Sequence, residues 1–214
     1  MRVPNPPAPF PPFAKPYQLK SGTIITRIFN GAFPLDSFNP CAGRPSRFAP
    51  IWLDQPAGQR CCVPTLYAAT NFECAVYETV FHDISPKARY RIVPASDIAL
   101  LRCGEIQIQS ELHLAPLFQP ELGALEITRA NLIDTPKRWY AQTVRWAAAI
   151  HEAFPDLHGL AWTSRPCDPE IAFLLFGDRI DSNDLLPLSH ASLAEDLYDA
   201  LVRAGERSRI TILS

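Results

Sequence analysis

The stretch "TLYAATNFECAVYETVFHD", residues 65–83, changes character partway along. With the preceding "CVP", its first five residues make a strand candidate over 62–69, because β-branched and aromatic side chains suit a pleated surface. From there the apolar residues Phe72, Ala75, Val76, Tyr77, Val80 and Phe81 cover nearly every side of a helix expected over 71–83. Thr70 and Glu73 have the spacing of a capping box, which places the helix start and gives Glu73 a structural task. Glu78 stands out among these apolar neighbours, on one stripe with Cys74 and His82, four residues to either side. An ionised carboxylate in such surroundings must find a partner or change its pKa. Glu78 is therefore either half of a structural ion pair with an arginine or an acid with chemistry to perform.

Outward from this unit the pattern stays mixed. "TIITRIFN" (23–30), "ARYRIVP" (88–94), "DIALLR" (97–102), "EIQIQ" (105–109), "HGLAWTS" (158–164), "EIAFLLFGDRI" (170–180) and "ITIL" (210–213) are strand candidates. Residues 134–154 form the clearest helix, with Thr135 as cap, Pro136 at the first position, and apolar residues recurring at three- and four-residue spacing. A second helix is expected over 192–205, opened by Ser192 with Glu195 and stopped by Gly205. Strands and helices do not alternate as βαβ units, which predicts one α+β domain with a largely antiparallel or mixed sheet. Residues 31–59 are a long loop rich in Gly, Pro, Asn and Ser, a length that in a compact domain points to function or disorder.

Composition narrows the function classes. The 214 residues are 47% hydrophobic and 20% charged, with a formal net charge of -2. That balance supports a packed core, and no run of Lys or Arg suggests nucleic-acid binding. No apolar run is long enough for a membrane-spanning helix, and the start, "MRVPNPPAPFPPFAKP", lacks the apolar segment of a secretory signal, so a cytoplasmic location is expected. The same Pro-rich start, within residues 1–20, is expected to be an extended, flexible arm. The six cysteines show no metal-binding spacing, and reduced, mostly buried thiols are expected. No HExxH, GxSxG, GxGxxG or P-loop pattern is present, which leaves metal-dependent, triad-hydrolase and Rossmann readings unsupported.

Four more residues are chemically conspicuous. Arg27 interrupts the apolar strand "IITRIF", which suggests an ion pair or an anion site. Arg47 lies among turn residues in "GRPSRFAP", Tyr67 ends a β-rich run, and Ser164 sits where the strand "GLAWTS" meets the turn "RPCDPE". Taken singly, each has an ordinary reading as a solvated arginine, a core tyrosine or a turn serine.

In combination and order, "TRIF", "GRPSRFAP", "TLYAATNFECAVYETVFHD", "GLAWTSRP…AFLLF" and the helix "WYAQTVRWAAAI" resemble the RES family, over roughly residues 23–180. The resemblance implies an ADP-ribosyltransferase-like fold, with a catalytic domain over 21–185 and a C-terminal helix and strand over 186–214. It also implies a bacterial growth-arresting toxin that degrades NAD. Such an enzyme cleaves the nicotinamide–ribose bond with inorganic phosphate as co-substrate, making it an NAD phosphorylase, a glycosyltransferase. No metal or resident cofactor is implied. A helix-turn-helix, Xre-type antitoxin is the implied partner, and a homodimer the implied assembly.

On this reading Glu78, Arg47 and Ser164 are catalytic, and Arg27, Tyr67 and Arg47 bind substrate. The carboxylate of Glu78 would stabilise the oxocarbenium character that develops on the ribose as the glycosidic bond breaks, or hold a ribose hydroxyl. Arg47 suits the pyrophosphate or the acceptor phosphate, and Arg27 the other anion or the orientation of Glu78. Tyr67 can stack on the cationic pyridinium ring, and Ser164 can donate to a ribose or phosphate oxygen. The alternatives are an NAD glycohydrolase or ADP-ribosyltransferase, a non-catalytic interaction module of the same fold, and an exported antibacterial effector.

Overall fold

The strand candidates "TLYAA" and "EIAFLLF" become two paired strands at the centre of the molecule. A computed structural model describes residues 2–85 and 87–213. In it β5 (Thr65–Ala69) pairs antiparallel with β10 (Ile171–Phe176), from Ala69↔Ala172 to Thr65↔Phe176. Both faces of β10 are covered, which is why it is a near-continuous apolar run rather than an alternating one. Around them lies an eight-stranded mixed sheet. Its remaining strands are β1 (Tyr17–Leu19), β2 (Ile24–Asn30), β7 (Leu101–Ile108), β8 (Leu112–Pro116), β9 (Gly159–Thr163) and β11 (Leu185–Ser192), in the order β1-β8-β9-β10-β5-β2-β7-β11. All neighbours are antiparallel except β8 and β9. Gly159 is where β9 lies closest to β10, since a Cβ there would sit 2.1 Å from the Leu174 carbonyl oxygen.

The period of two sorts each strand between two cores. Leu66, Ala68, Phe173 and Leu175 join Ile25, Phe29, Ile106 and Leu114 on one face. Ala69, Leu174, Phe176, Leu160 and Trp162 join the helices on the other. Those helices include α1 (Phe72–Thr79), α5 (Tyr140–Ala153) and α6 (Tyr198–Glu206). The short helices are α2 (Ala95–Ile98), α3 (Gln119–Ala124) and α4 (Arg129–Leu132). Two small sheets complete the fold: the hairpin β3 (Ile51–Asp54) with β4 (Arg60–Val63), and the parallel pair β6 (Ile92–Val93) with β12 (Thr211–Ile212). Among the described residues no helix is long and apolar enough to cross a membrane.

The expected α+β single domain with a mixed sheet is what folds, but several local expectations change. The cap of α1 is Asn71, whose side chain accepts from the Cys74 amide at 2.9 Å. Thr70 still belongs to the ladder, with its amide on the Ile171 carbonyl, and its hydroxyl donates to Glu170 at 2.5 Å. Glu73 pairs instead with Arg207 at 2.5 Å. The helix also ends at Thr79, before His82. Residues 97–102 are no separate strand, because α2 takes the first two and β7 runs unbroken from Leu101. Thr135 does not cap α5; its hydroxyl turns back to the Leu132 carbonyl, and a 3-10 turn over Lys137–Trp139 leads into the helix. Ser192 accepts from the Glu195 amide, yet it closes β11, and α6 begins only at Tyr198.

The Pro-rich start, expected to be an extended, flexible arm, lies against the body of the molecule. Val3 is buried, and Trp146 on α5 donates its indole N–H to the Pro4 carbonyl at 2.8 Å. Phe10 meets Trp146 and Phe154 edge-on, and Phe13 packs on Phe154 at 5.2 Å. Proline loses little freedom on ordering, so a few aromatic anchors suffice to hold the strap. Its end is β1, an edge strand of the main sheet.

The expectation of six thiols also fails, because Cys41 and Cys62 form a disulfide with their Cα atoms 6.0 Å apart. Cys62 lies on β4 and Cys41 in the loop before β3, a proximity across a sequence separation of 21 that spacing alone does not reveal. Cys74, Cys103 and Cys167 are buried thiols, and Cys61 is an exposed one. A loop of this length predicts that the paired substitution Cys41→Ser and Cys62→Ser lowers unfolding free energy by about 3 kcal/mol in chemical denaturation. An unchanged midpoint under non-reducing conditions would contradict the pairing.

Candidate functional site

β5 pairs with β10 over its whole length but with β2 at one position, Thr26↔Ala69. The two halves of the sheet therefore splay apart, and the gap is a cavity of about 300 Å³. Arg27 lines it from β2, Tyr67 from β5, Glu78 from α1 and Arg47 from the loop between β2 and β3. Four residues separated by up to 51 positions in the chain thus share one cleft. A second chamber, of about 250 Å³, lies beside it and shares Arg47, Glu78 and His82 with the first.

Glu78 reaches the cleft because α1 starts where β5 stops. Cys74, Ala75, Val76 and Tyr77 face the core, which leaves Glu78 half-buried at the cavity wall. Its Oε1 is shielded from solvent and has no hydrogen-bond partner. Among the described residues it forms no ion pair, so the structural-brace reading of this carboxylate loses its required arginine. One turn earlier, the Cys74 thiol is pushed well up, first by burial and then by the neighbouring Glu78 charge, and is neutral.

Arg47 is buried, at 8% exposure, and is gripped from one side only. One terminal nitrogen donates to the carbonyls of Ile133 and Thr135, and its backbone carbonyl accepts from the Thr143 hydroxyl. The guanidinium lies 5.7 Å from the Tyr140 ring centre. Its Nε has no partner. A buried guanidinium nitrogen and a buried carboxylate oxygen, both unsatisfied on one cavity wall, are costly unless a ligand completes them.

Tyr67 holds Arg47 in place. Its hydroxyl accepts from the Phe48 amide at 3.0 Å and shares a hydrogen bond with Ser46 at 2.9 Å, so it clasps both neighbours of Arg47. Burial pushes that hydroxyl up to about 12, which keeps it neutral and able to donate across the physiological range. Its ring stands edge-on to Trp162. The expected role of Tyr67 as a stacking platform is therefore joined by a clamping one. Tyr67→Phe is predicted to cost about 1–2 kcal/mol by leaving the Phe48 N–H without its acceptor. Faster hydrogen exchange at that amide, with the rest of the sheet unchanged, is the expected readout; unaltered exchange would contradict the clamp.

Arg27 lies on the wall but is partly occupied. One of its terminal nitrogens donates to the Leu35 and Ser37 carbonyls at 2.6 and 2.8 Å. Burial lowers its pKa to about 10, so it still carries its charge at neutral pH. It ties the 31–39 loop to the cleft. Ser164 lines neither chamber. It is fully buried at the end of β9, beside the Cys74 thiol beneath α1, and its hydroxyl makes no hydrogen bond of good geometry.

Sequence reasoning missed Tyr140 and Trp162, which both line the cleft. The Trp162 indole N–H is buried and unpartnered. Period-two alternation in "GLAWTS" puts Trp162 on the same face as Ser164, and that signal was available. Tyr140 had none, since it enters through the tertiary placement of the start of α5.

The comparisons agree with this architecture. The model described as the RES domain matches residues 24–193. No curated protein matches the chain. Among solved structures, a chain in the crystal structure of the M. tuberculosis MbcT–MbcA toxin–antitoxin complex is similar. Its TM-score is 0.59 at 13% sequence identity, over 87% of this chain and 90% of that one. At that identity the likeness speaks to the α+β fold alone.

Proposed function

This chain belongs to the RES domain family, and on that premise we propose that it consumes NAD, breaking the nicotinamide–ribose bond with inorganic phosphate as acceptor. The observation that carries the reading is the pair of unsatisfied buried atoms, Glu78 Oε1 and Arg47 Nε, on the wall of one cleft. A molecule that completes both needs a cationic or hydroxyl-bearing part for the carboxylate and an anionic part for the guanidinium. NAD offers both, in its pyridinium and ribose and in its pyrophosphate.

The roles follow from position. Glu78 sits beside the ribose and opposes the positive charge that develops as the glycosidic bond lengthens. Arg47 donates to a phosphate oxygen, with its other side already fixed by backbone carbonyls. Tyr67 and Trp162 form the aromatic part of the wall, where a flat cationic ring gains from their π-faces. Arg27 contributes charge and anchors the 31–39 loop. Ser164 supports α1 from beneath rather than touching substrate.

Growth arrest follows from NAD loss, and the partner we assign is a helix-turn-helix antitoxin that covers the cleft. The similar solved complex pairs a toxin with an antitoxin, which supports such a partner. Expression with and without that partner, scored by growth and cellular NAD, tests the toxin role. Growth and NAD that are indifferent to both would contradict it.

A further inference from the structure

The second chamber shares Arg47, Glu78 and His82 with the first and adds charged residues of its own. Among the described residues that line it, Arg47, Arg91 and Arg165 are the arginines and Glu78 is the carboxylate. Arg47 is nine-tenths buried there and leaves its Nε unpartnered. Arg165 is exposed at the turn after β9 and is steadied by the Asp134 carbonyl at 3.1 Å. Arg91 donates to the Ser208 carbonyl at 2.7 Å, and the Ser208 hydroxyl lies 2.6 Å from that of Tyr77. Ser208 and Ile210 lie beyond the residues that match the family, so the C-terminal segment completes this chamber.

From this geometry we infer that the second chamber is the oxyanion site that receives the acceptor phosphate, with Arg165 and Arg91 on its wall and Arg47, which holds the dinucleotide, at its border with the first. The inference rests on the NAD-consuming reading of the cleft and adds where the acceptor binds. The two chambers touch at Glu78, Arg47 and His82, so a ribose held against Glu78 has the dinucleotide on one side and this chamber on the other. Such a placement suits displacement, because the acceptor approaches the side that nicotinamide does not leave from. A hydrogen phosphate oxygen forms the new bond to the anomeric carbon as the carbon–nitrogen bond breaks. The bonding pair leaves on the pyridinium nitrogen and neutralises it, and the acceptor's one proton stays on the phosphate ester. No oxidant or reductant is required. Water competes everywhere for the same carbon, so an enzyme that prefers phosphate must concentrate it locally, and the guanidinium groups of Arg165 and Arg91 do so.

The test varies phosphate and NAD separately with wild type, Arg165→Gln and Arg165→Lys. Arg165 is exposed and its one described hydrogen bond is to a backbone carbonyl, so the fold tolerates the change. The expected result is a rise of about tenfold or more in the KM for phosphate for Arg165→Gln. The KM for NAD should stay within twofold, products should shift from the phosphate ester toward ADP-ribose, and Arg165→Lys should recover part of the loss. A raised KM for NAD instead would place the dinucleotide's own pyrophosphate in the chamber and overturn the assignment, as would no change in either constant. If wild type leaves NAD intact, it is the reading of the cleft that fails. The chamber is then judged by thermal stabilisation with inorganic phosphate: present in wild type and lost in Arg165→Gln supports it, and equal shifts in both overturn it.

Discussion

Glu78→Gln is expected to lower the rate of NAD loss by about two to three orders of magnitude, equivalent to roughly 3–4 kcal/mol of transition-state stabilisation. The same substitution should leave the unfolding midpoint unchanged or slightly raised. The reason is the state of the carboxylate: it lines both chambers, one oxygen is buried without a partner, and no arginine or lysine among the described residues is paired with it. A carboxylate that braced the core through an ion pair would behave in the opposite way. Breaking a buried pair costs about 3–5 kcal/mol of stability and has no necessary effect on turnover. Denaturation and NAD consumption measured on the same preparation separate the two. A destabilised but fully active variant would return Glu78 to architecture.

The second large effect is expected at Arg47. Arg47→Ala should reduce kcat/KM by about a hundredfold or more and also destabilise the protein, by about 2–4 kcal/mol. Two effects are expected because the residue has two duties. Its bonds to the Ile133 and Thr135 carbonyls tie the loop before β3 to the segment that follows α4, and those carbonyls lose a donor in the variant. Its side chain lines both chambers, and its Nε is buried without a partner. Arg47→Lys keeps the charge but not the planar fork, so it should recover some phosphate affinity without restoring both bonds. A variant that lost stability alone would make Arg47 a loop anchor and nothing more.

The sequence was informative where one side chain was out of keeping with its neighbours. Glu78 among Ala75, Val76, Tyr77 and Phe81, and Arg27 among isoleucines, both stood out against local periodicity and both lie on the cleft. Arg47 and Tyr67 looked ordinary alone and gained meaning only through the order of motifs. Their connection is tertiary: the Tyr67 hydroxyl holds the backbone on both sides of Arg47. Ser164 was the residue placed least well, since a strand end can face a cleft or a core, and here it faces the underside of α1.

The splayed junction between β2 and β5 could not be read at all, because both strands have ordinary composition and the gap is a property of how they pair. The Cys41–Cys62 bridge and the seated N-terminal strap belong to the same class, contacts between segments with no local signature. The family resemblance was legible over 23–180, while Tyr77, Arg91 and Ser208 meet only when the C-terminal segment folds back onto α1.

Mass identification of the products formed from NAD and inorganic phosphate by the purified chain bears most directly on the whole account. Nicotinamide together with a phosphate ester of ADP-ribose, both formed about two to three orders of magnitude more slowly by Glu78→Gln, is the predicted result. Intact NAD, or ADP-ribose in place of its ester at saturating phosphate, would contradict it.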